Sequence, residues 1–275
     1  MTTGERIAKA RKAKKLSQED LGERLGLSGQ AVSTWERDEY LPDTKNLIAL
    51  ADALDVTLDS LLREDNGWEM KPVNGYFGHM FTFVKGRAQV YRMPQTLKVL
   101  DLLRSVHGGQ DRWSRYGFST TYMVHPLTMA CHALAMRLKD DDVIAAALAH
   151  DMVEDSRDPA LKPEDLPVNE RVREAVRVMS KNLYDRSKPD WEKTYFAEIR
   201  RNPLACLIKC LDRVNNLAGM ADAFDRAGMV KYTAETDQYY PDLLEEVKKV
   251  PEWNDAWWLL RYHMMSMLET FKRML

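Results

Sequence analysis

Residues 143–155 read VIAAALAHDMVED. Seven small or aliphatic residues run straight into a histidine and three carboxylates. A segment apolar all round is what a helix enclosed by other helices looks like. Ionisable groups at its end are costly to bury unless they are paired or hold a metal. At helical spacing His150 and Glu154 lie one turn apart, and so do Asp151 and Asp155, so both pairs face nearly the same volume. Bare carboxylates this close repel, and a divalent cation removes the repulsion by taking their lone pairs. A mixed His/Asp set suits Mn²⁺, Fe²⁺ or Zn²⁺ better than Ca²⁺.

Two other segments offer partners. In YMVHPLTMACHALAM, His125 directly precedes Pro126. The residue before proline is pushed out of the helical region and proline suits a first helical turn, which predicts His125 at the mouth of a helix. In LIKCLDRVNNLAGM, Asp212 sits inside an apolar helical pattern with Asn216 one turn later. The candidate metal set is therefore His125, His150, Asp151 and Asp212. His132, in the same helix as His125, reads as a packed residue.

This order and spacing resembles the HD metal-dependent phosphohydrolase superfamily. Within it, HGGQDRWSRYGFSTTYMVHP resembles the entry segment of the RelA/SpoT-type alarmone hydrolases through His107, Gly109, Gln110, Arg112, Tyr122, His125 and Pro126. AALAHDMVEDS, LIKCLDRVNNL and KYTAETDQYYPDL resemble later motifs of that family, the last a helix that precedes a Tyr-x-Pro turn. The motifs fall within residues 107–244, and the segments linking them match only loosely. The resemblance implies a small, hydrolase-only relative that removes the 3′-pyrophosphate from (p)ppGpp-like alarmone nucleotides with Mn²⁺, or another divalent transition metal, as cofactor. It implies Glu154 and Asp155 as the catalytic carboxylates that orient water and take its proton. It also implies Arg112 against a phosphate or guanine face, Lys209 against a phosphate, and Asn216 against the ribose or 3′-phosphate. For Lys209 an ordinary surface lysine is the competing reading, and for Arg112 an ordinary surface salt bridge. Two other functions stay open: a transcription regulator whose HD domain senses a nucleotide without turnover, and an HD-type nucleoside-monophosphate phosphatase.

The N-terminal part has a different pattern. In LSQEDLGERLGLSGQAVSTWERDEYLPD, Ser17 with Asp20 reads as a capping box, Gly26 as a helix stop and Ser28 as the next N-cap. Two short helices around a tight turn make a helix-turn-helix candidate. About 60 residues resemble the Cro/repressor-like (XRE) family, with a departure at RDEY, where that family usually has glycine. The resemblance implies a five-helix bundle whose recognition helix begins near Ser28. Gln30, Ser33 and Thr34 would project toward base edges, and Gln18 and the lysines of the first helix toward phosphates. Lys9, Arg11, Lys12, Lys14 and Lys15 read either as such a phosphate-contacting arm or as a solvated face. Val32 and Trp35 read as core. Heads of this kind imply a homodimer on DNA; a protein-interaction module is the alternative.

Composition bounds the rest. The chain has 275 residues, a formal net charge of −2, 45% hydrophobic and 30% charged residues, which is ordinary for a globular protein. No apolar run reaches the roughly 18 residues of a membrane span, and no apolar stretch follows the basic N-terminus as in a secretory signal. Cys131, Cys206 and Cys210 make no disulfide framework, and Cys206 and Cys210 read as core. A cytoplasmic setting is expected. The predicted architecture is all-α: residues 1–64 a helix-turn-helix DNA-binding domain, 65–93 a linker, and 94–275 an HD-type phosphohydrolase domain. In the linker, MFTFVKGRAQVY suggests a small β-hairpin around Lys85–Gly86, and His79 reads as structural. The last segment, PEWNDAWWLLRYHMMSMLETFKRML, reads as one amphipathic helix for core or dimer packing.

Overall fold

The computed structural model describes residues 2–56, 58–62, 74–107, 111–113, 119–156 and 158–275. Apart from one pair of short strands, the regular elements among them are helical, and the chain divides into two compact units, Met1–Lys71 and Pro72–Leu275. No helix among the described residues is long and apolar enough to cross a membrane.

The first unit holds α1 (Thr3–Ala13), α2 (Gln18–Leu25), α3 (Gly29–Glu36), α4 (Thr44–Leu54) and α5 (Leu58–Leu62). Its helix starts are written in the sequence. Thr2 with Glu5 and Ser17 with Asp20 form capping boxes, and the Ser28 and Asp43 side chains accept the N–H of Ala31 and Asn46. Gly26, at φ +69°, ends α2 in the left-handed conformation that glycine adopts without penalty. Ile7, Leu21, Val32, Trp35, Leu50, Leu54 and Leu61 form the core. Asp38, where the sequence departs from the family pattern, also has a left-handed φ of +56°. Aspartate tolerates that region. Its carboxylate accepts the Gly4 N–H at 2.7 Å and the Thr2 hydroxyl, satisfying a donor that the start of α1 leaves without an intrahelical partner.

The second unit begins with a correction. Residues 74–90, expected as linker with a hairpin, form helix α6 (Asn74–Val90). Val84 and Ala88, one turn apart, are buried, with Met80 and Phe81 packed against the same core. That helical stripe outweighs the aromatic and β-branched content that suggested strands. A short antiparallel pair does exist, but later, between β1 (Asp111–Trp113) and β2 (Ser119–Thr121).

Helices α7 (Pro94–His107), α8 (Val124–Ala135) and α9 (Asp141–Ala149) follow, then α10 (Glu170–Met179), α11 (Trp191–Arg200), α12 (Pro203–Ala218), the short α13 (Met220–Ala223), α14 (Arg226–Lys248) and α15 (Asn254–Met274). Helix α9 packs against α7, α8, α10 and α12, which is why Val143 through Ala149 are buried on every side. The Asp141 carboxylate accepts the N–H groups of Gln95 and Thr96, tying the start of α7 to the start of α9. Cys206 and Cys210 are buried in the core as expected, whereas His132 is exposed rather than packed, with Asn215 at 3.0 Å. His79 is exposed on α6.

The expected Tyr-x-Pro turn is also absent: Pro241 lies inside α14. A proline there removes the hydrogen bond to the carbonyl four residues back. Burial of Tyr240, Leu243, Leu244 and Val247 on both sides of it keeps the helix continuous.

The closest packing in the first unit gives a direct test. A Cβ on Gly4 would sit inside the van der Waals envelope of the Trp35 carbonyl oxygen and 2.7 Å from that of Glu36. Gly4→Ala is expected to destabilise this unit by roughly 1–3 kcal/mol, as overpacking does. Hydrogen exchange should accelerate in peptides from residues 2–62 and stay unchanged in residues 124–275; unchanged protection in α1 and α3 would contradict this packing.

Candidate functional site

Three segments deliver polar side chains to one point in the second unit. Helix α8 starts at Val124, two residues earlier than Pro126 suggested, so His125 lies inside the first turn rather than before it. That turn has no intrahelical N–H acceptors to fill, so the missing donor of Pro126 costs nothing there. Helix α9 ends at Ala149, and residues 150–155 continue as turns rather than as two regular helical turns. The Asp155 N–H still bonds the Asp151 carbonyl at 2.8 Å, which preserves the one-turn spacing of those two side chains. Asp212 comes from the middle of α12.

The ligand atoms converge. His125 Nε2 lies 3.1 Å from Asp212 Oδ1 and 3.8 Å from Asp151 Oδ2. His150 Nε2 lies 2.9 Å from Asp151 Oδ2 and 3.9 Å from Asp212 Oδ1. The two imidazoles meet edge to face with centroids 5.1 Å apart. His125, His150 and Asp212 can each offer one ligand atom within 4.8 Å of the others, and all three are largely buried.

His150 gives the sharpest test of whether a cation fits. Its Nδ1 lies 3.0 Å from the Ala147 carbonyl, which can only accept, so Nδ1 carries the proton of that bond. In the neutral ring Nε2 then presents a lone pair. Nε2 is buried and makes no aligned hydrogen bond, although Asp151 Oδ2 is within ion-pair distance. A lone pair facing carboxylate oxygens is repulsive until a proton or a metal ion stands between them. A backbone acceptor on the far nitrogen is also the usual way a metal-bound histidine is oriented.

The electrostatics agree. Burial alone would discharge His150, but Asp151 and then Asp212 outweigh it and raise its pKa to about 8. Burial likewise opposes ionisation of Asp151 and Asp212. His150 beside Asp151, and Lys209 and the imidazoles beside Asp212, hold both carboxyls well below the usual range. Lys209 is no surface lysine: it is buried, its Nζ is 3.2 Å from Asp212 Oδ2, and that carboxylate keeps it charged against the desolvation. Asn216 donates to Asp212 Oδ1 at 2.5 Å.

Glu154 and Asp155 flank this group differently. Burial raises the Glu154 pKa; the Lys181 N–H, which it accepts at 3.1 Å, acts the other way. The Asn182 side chain donates to the Val153 carbonyl at 3.1 Å, so residues 153 and 154 are both tied to the turn at 181–183. Asp155 is exposed, and the Tyr122 hydroxyl lies within hydrogen-bonding reach of both Asp155 and Asp151. For Arg112 only the backbone, paired with Thr120 in the strand pair, is among the described features.

Sequence reasoning missed several neighbours. Tyr122 was matched without a role. Lys181 and Tyr195 carried no signal. Arg213, next to Asp212, is almost fully buried, with its guanidinium 3.6 Å from the Tyr232 ring centre and 4.3 Å from that of Tyr240, and it pairs with Glu235. A charged residue directly after the acid in an apolar helix was the signal that could have found it.

In the first unit, α3 carries Gln30, Ser33 and Thr34, of which Gln30 is exposed and the other two half-buried. The Thr34 hydroxyl bonds the Ala31 carbonyl of its own helix, Ser28 caps α3, and Ser33 meets Arg37. Gln18 donates to Glu36 at 2.7 Å. Arg11 does not belong to a phosphate arm: it is buried and grips Glu36 through two nitrogens. Lys9, Lys12 and Lys15 are exposed, and Lys14 pairs with Asp55.

Residues 7–61 match the helix-turn-helix family model. Over 62 residues, 22% of this chain and 29% of the relative, the sequence is 47% identical to repressor protein C2 of Salmonella phage P22. Over 62 residues it is 39% identical to the uncharacterized HTH-type transcriptional regulator YqaE of Bacillus subtilis, covering 53% of it, and over 65 residues 38% identical to the immunity repressor protein of Bacillus phage phi105, covering 45%. The chain thus spans between about a third and a half of these regulators. A solved structure described as a metazoan ortholog of SpoT that hydrolyzes ppGpp and plays a role in starvation responses is 19% identical, with a TM-score of 0.49, over 64% of this chain and 95% of that one. The N-terminal unit is a helix-turn-helix domain.

Metal binding at His125, His150 and Asp212 must displace the proton that His150 holds below about pH 8. Calorimetric titration with Mn²⁺ should therefore give an affinity that climbs with pH, by up to about tenfold per unit, and levels off above about pH 8. Asp212→Asn should abolish the binding. A pH-independent affinity, or full binding by the variant, would place the ion elsewhere.

Proposed function

We propose that the second unit is a divalent-metal-dependent phosphohydrolase of alarmone nucleotides, with Mn²⁺ as the fitting ion, carried by a DNA-binding head. The observation that carries the reading is the convergence of His125, His150, Asp151 and Asp212 from three separate segments on one buried point, with a second pair of carboxylates beside it. The alarmone class rests on the motif resemblance around that point, and the head on the helix-turn-helix match of residues 7–61.

In this reading the four side chains hold the cation. Once bound, it lowers the pKa of water and polarises a phosphoryl oxygen. Glu154 is the base: burial raises its pKa above the ordinary carboxylate value, which makes it a stronger proton acceptor, and the Lys181 N–H fixes its carboxylate. Asp155, aligned by Tyr122, orients the water from the solvent side. Lys209 and Asn216 act mainly on Asp212, holding its two oxygens in place. Asn216, half-buried, remains the candidate for a substrate ribose or 3′-phosphate, whereas Lys209, buried against Asp212, meets a phosphate only where one enters next to that carboxylate. Arg112, on β1, is the proposed clamp on phosphate or guanine, a role that rests on the motif resemblance.

The test is incubation with Mn²⁺ and guanosine tetraphosphate. Pyrophosphate release is expected, and Glu154→Gln should lower kcat by about 10²–10⁴, the usual worth of a general base. Because Glu154 must be ionised and burial raises its pKa, kcat/KM should fall as pH drops through that raised value. The variant should lose this acid limb. Tight nucleotide binding without turnover would make the unit a sensor, and orthophosphate release from monophosphates would make it a nucleotidase.

For the head, Gln30→Ala should weaken binding to its operator by about 1–3 kcal/mol and leave non-specific DNA binding unchanged. Mobility shifts on specific and scrambled duplexes separate the two. Equal loss on both would assign Gln30 to phosphate contact.

A further inference from the structure

Helix α15 has two apolar faces. One is buried in the second unit through Ala256, Trp257, Leu260, Met264 and Leu268. The other presents Trp258, Tyr262 and Met265, which are 56%, 68% and 37% exposed. Large apolar side chains scattered singly on a surface need no explanation, but a contiguous stripe of them marks an interaction surface. This stripe continues through Glu269 and Lys272, so its spacing alternates four and three residues, the pattern of a helix–helix seam. A shallow groove runs along it, lined by Trp258, Arg261, Tyr262, Met265, Ser266 and Glu269.

We propose that this stripe is the seat of a second copy of the chain, with the two α15 helices packed antiparallel about a two-fold axis at Met265. The argument is charge complementarity. Arg261 and Glu269 stand four residues on either side of Met265. In an isologous pair the same patch must complement itself. Antiparallel packing about Met265 places Arg261 of each copy opposite Glu269 of the other, twice by symmetry. Lys272, the next position on the stripe, pairs with Asp237 of its own chain at 2.9 Å and is left out of the seam. Parallel packing would oppose Arg261 to Arg261 and Glu269 to Glu269, which like-charge repulsion rejects. The Glu269–Arg273 pair within one chain, at 3.8 Å between exposed side chains, is too weak to hold Glu269 away from a better partner. This association is independent of any catalytic activity in the second unit.

Sedimentation equilibrium of the full chain, from about 1 to 100 μM, is the test. The natural sequence is expected to be a dimer within that range, and Tyr262→Asp to be a monomer. Arg261→Glu and Glu269→Arg should each raise the dissociation constant at least about tenfold, because each creates two like-charge contacts. The double variant Arg261→Glu/Glu269→Arg should return it to within about threefold of the original value, since the swapped pair restores the attraction. These positions are exposed, so the far-ultraviolet circular dichroism should not change. A monomer at the highest concentration, a dimer indifferent to the single variants, or a double variant no better than the singles would each overturn the proposal.

Discussion

A carboxylate in the middle of an apolar helix is the constraint around which the second unit is arranged. Stripping water from Asp212 costs several kcal/mol unless opposite charge and hydrogen bonds replace it. The compensation comes partly from its own helix: Lys209 three residues before it and Asn216 four after it share its stripe and take one oxygen each. The remainder comes from His125 and His150, which no local geometry could supply. Delivering those imidazoles fixes where α8 begins and where α9 ends. The all-round burial of α9 then leaves little freedom to move His150.

The ligand candidates were legible in the sequence because their chemistry conflicts with their surroundings. His150 and Asp151 end an apolar run, and Asp212 interrupts one. Such conflicts mark the places where a fold departs from simple patterning for a functional reason. What could not be read was pairing across long stretches of chain. Tyr122 reaches Asp151 from 29 positions away, and Lys181 meets Glu154 from 27 positions away. Neither tyrosine nor lysine is out of place in its own segment, so nothing local marks it. The hairpin expected near Gly86 failed for the opposite reason: local composition spoke for strands, while the buried stripe through Val84 and Ala88 spoke for helix. Tertiary burial decides such conflicts.

The head shows the same contrast between counting charges and placing them. As bare charges, the acidic residues at 36, 38 and 39 would repel a polyanion. Glu36 is gripped by Arg11 and Gln18, Asp38 accepts from the start of α1, and Glu39 pairs with Arg37. These acids are internal fasteners, and Arg11 leaves the basic arm to serve as one of them. The bidentate Arg11–Glu36 pair links α1 to α3 through planar groups suited to that geometry.

The charges at the candidate centre nearly cancel before any ion arrives. Two carboxylates face the Lys209 ammonium and, below about pH 8, the His150 imidazolium. A centre balanced in this way would not need metal to fold, unlike small zinc domains that collapse without theirs. In the proposed reading, ion uptake would be a swap of a proton for a cation inside a finished scaffold. If the proposed metal-dependent reaction holds, metal supply sets the fraction of working molecules without altering how many survive, a dial on activity that leaves protein lifetime untouched.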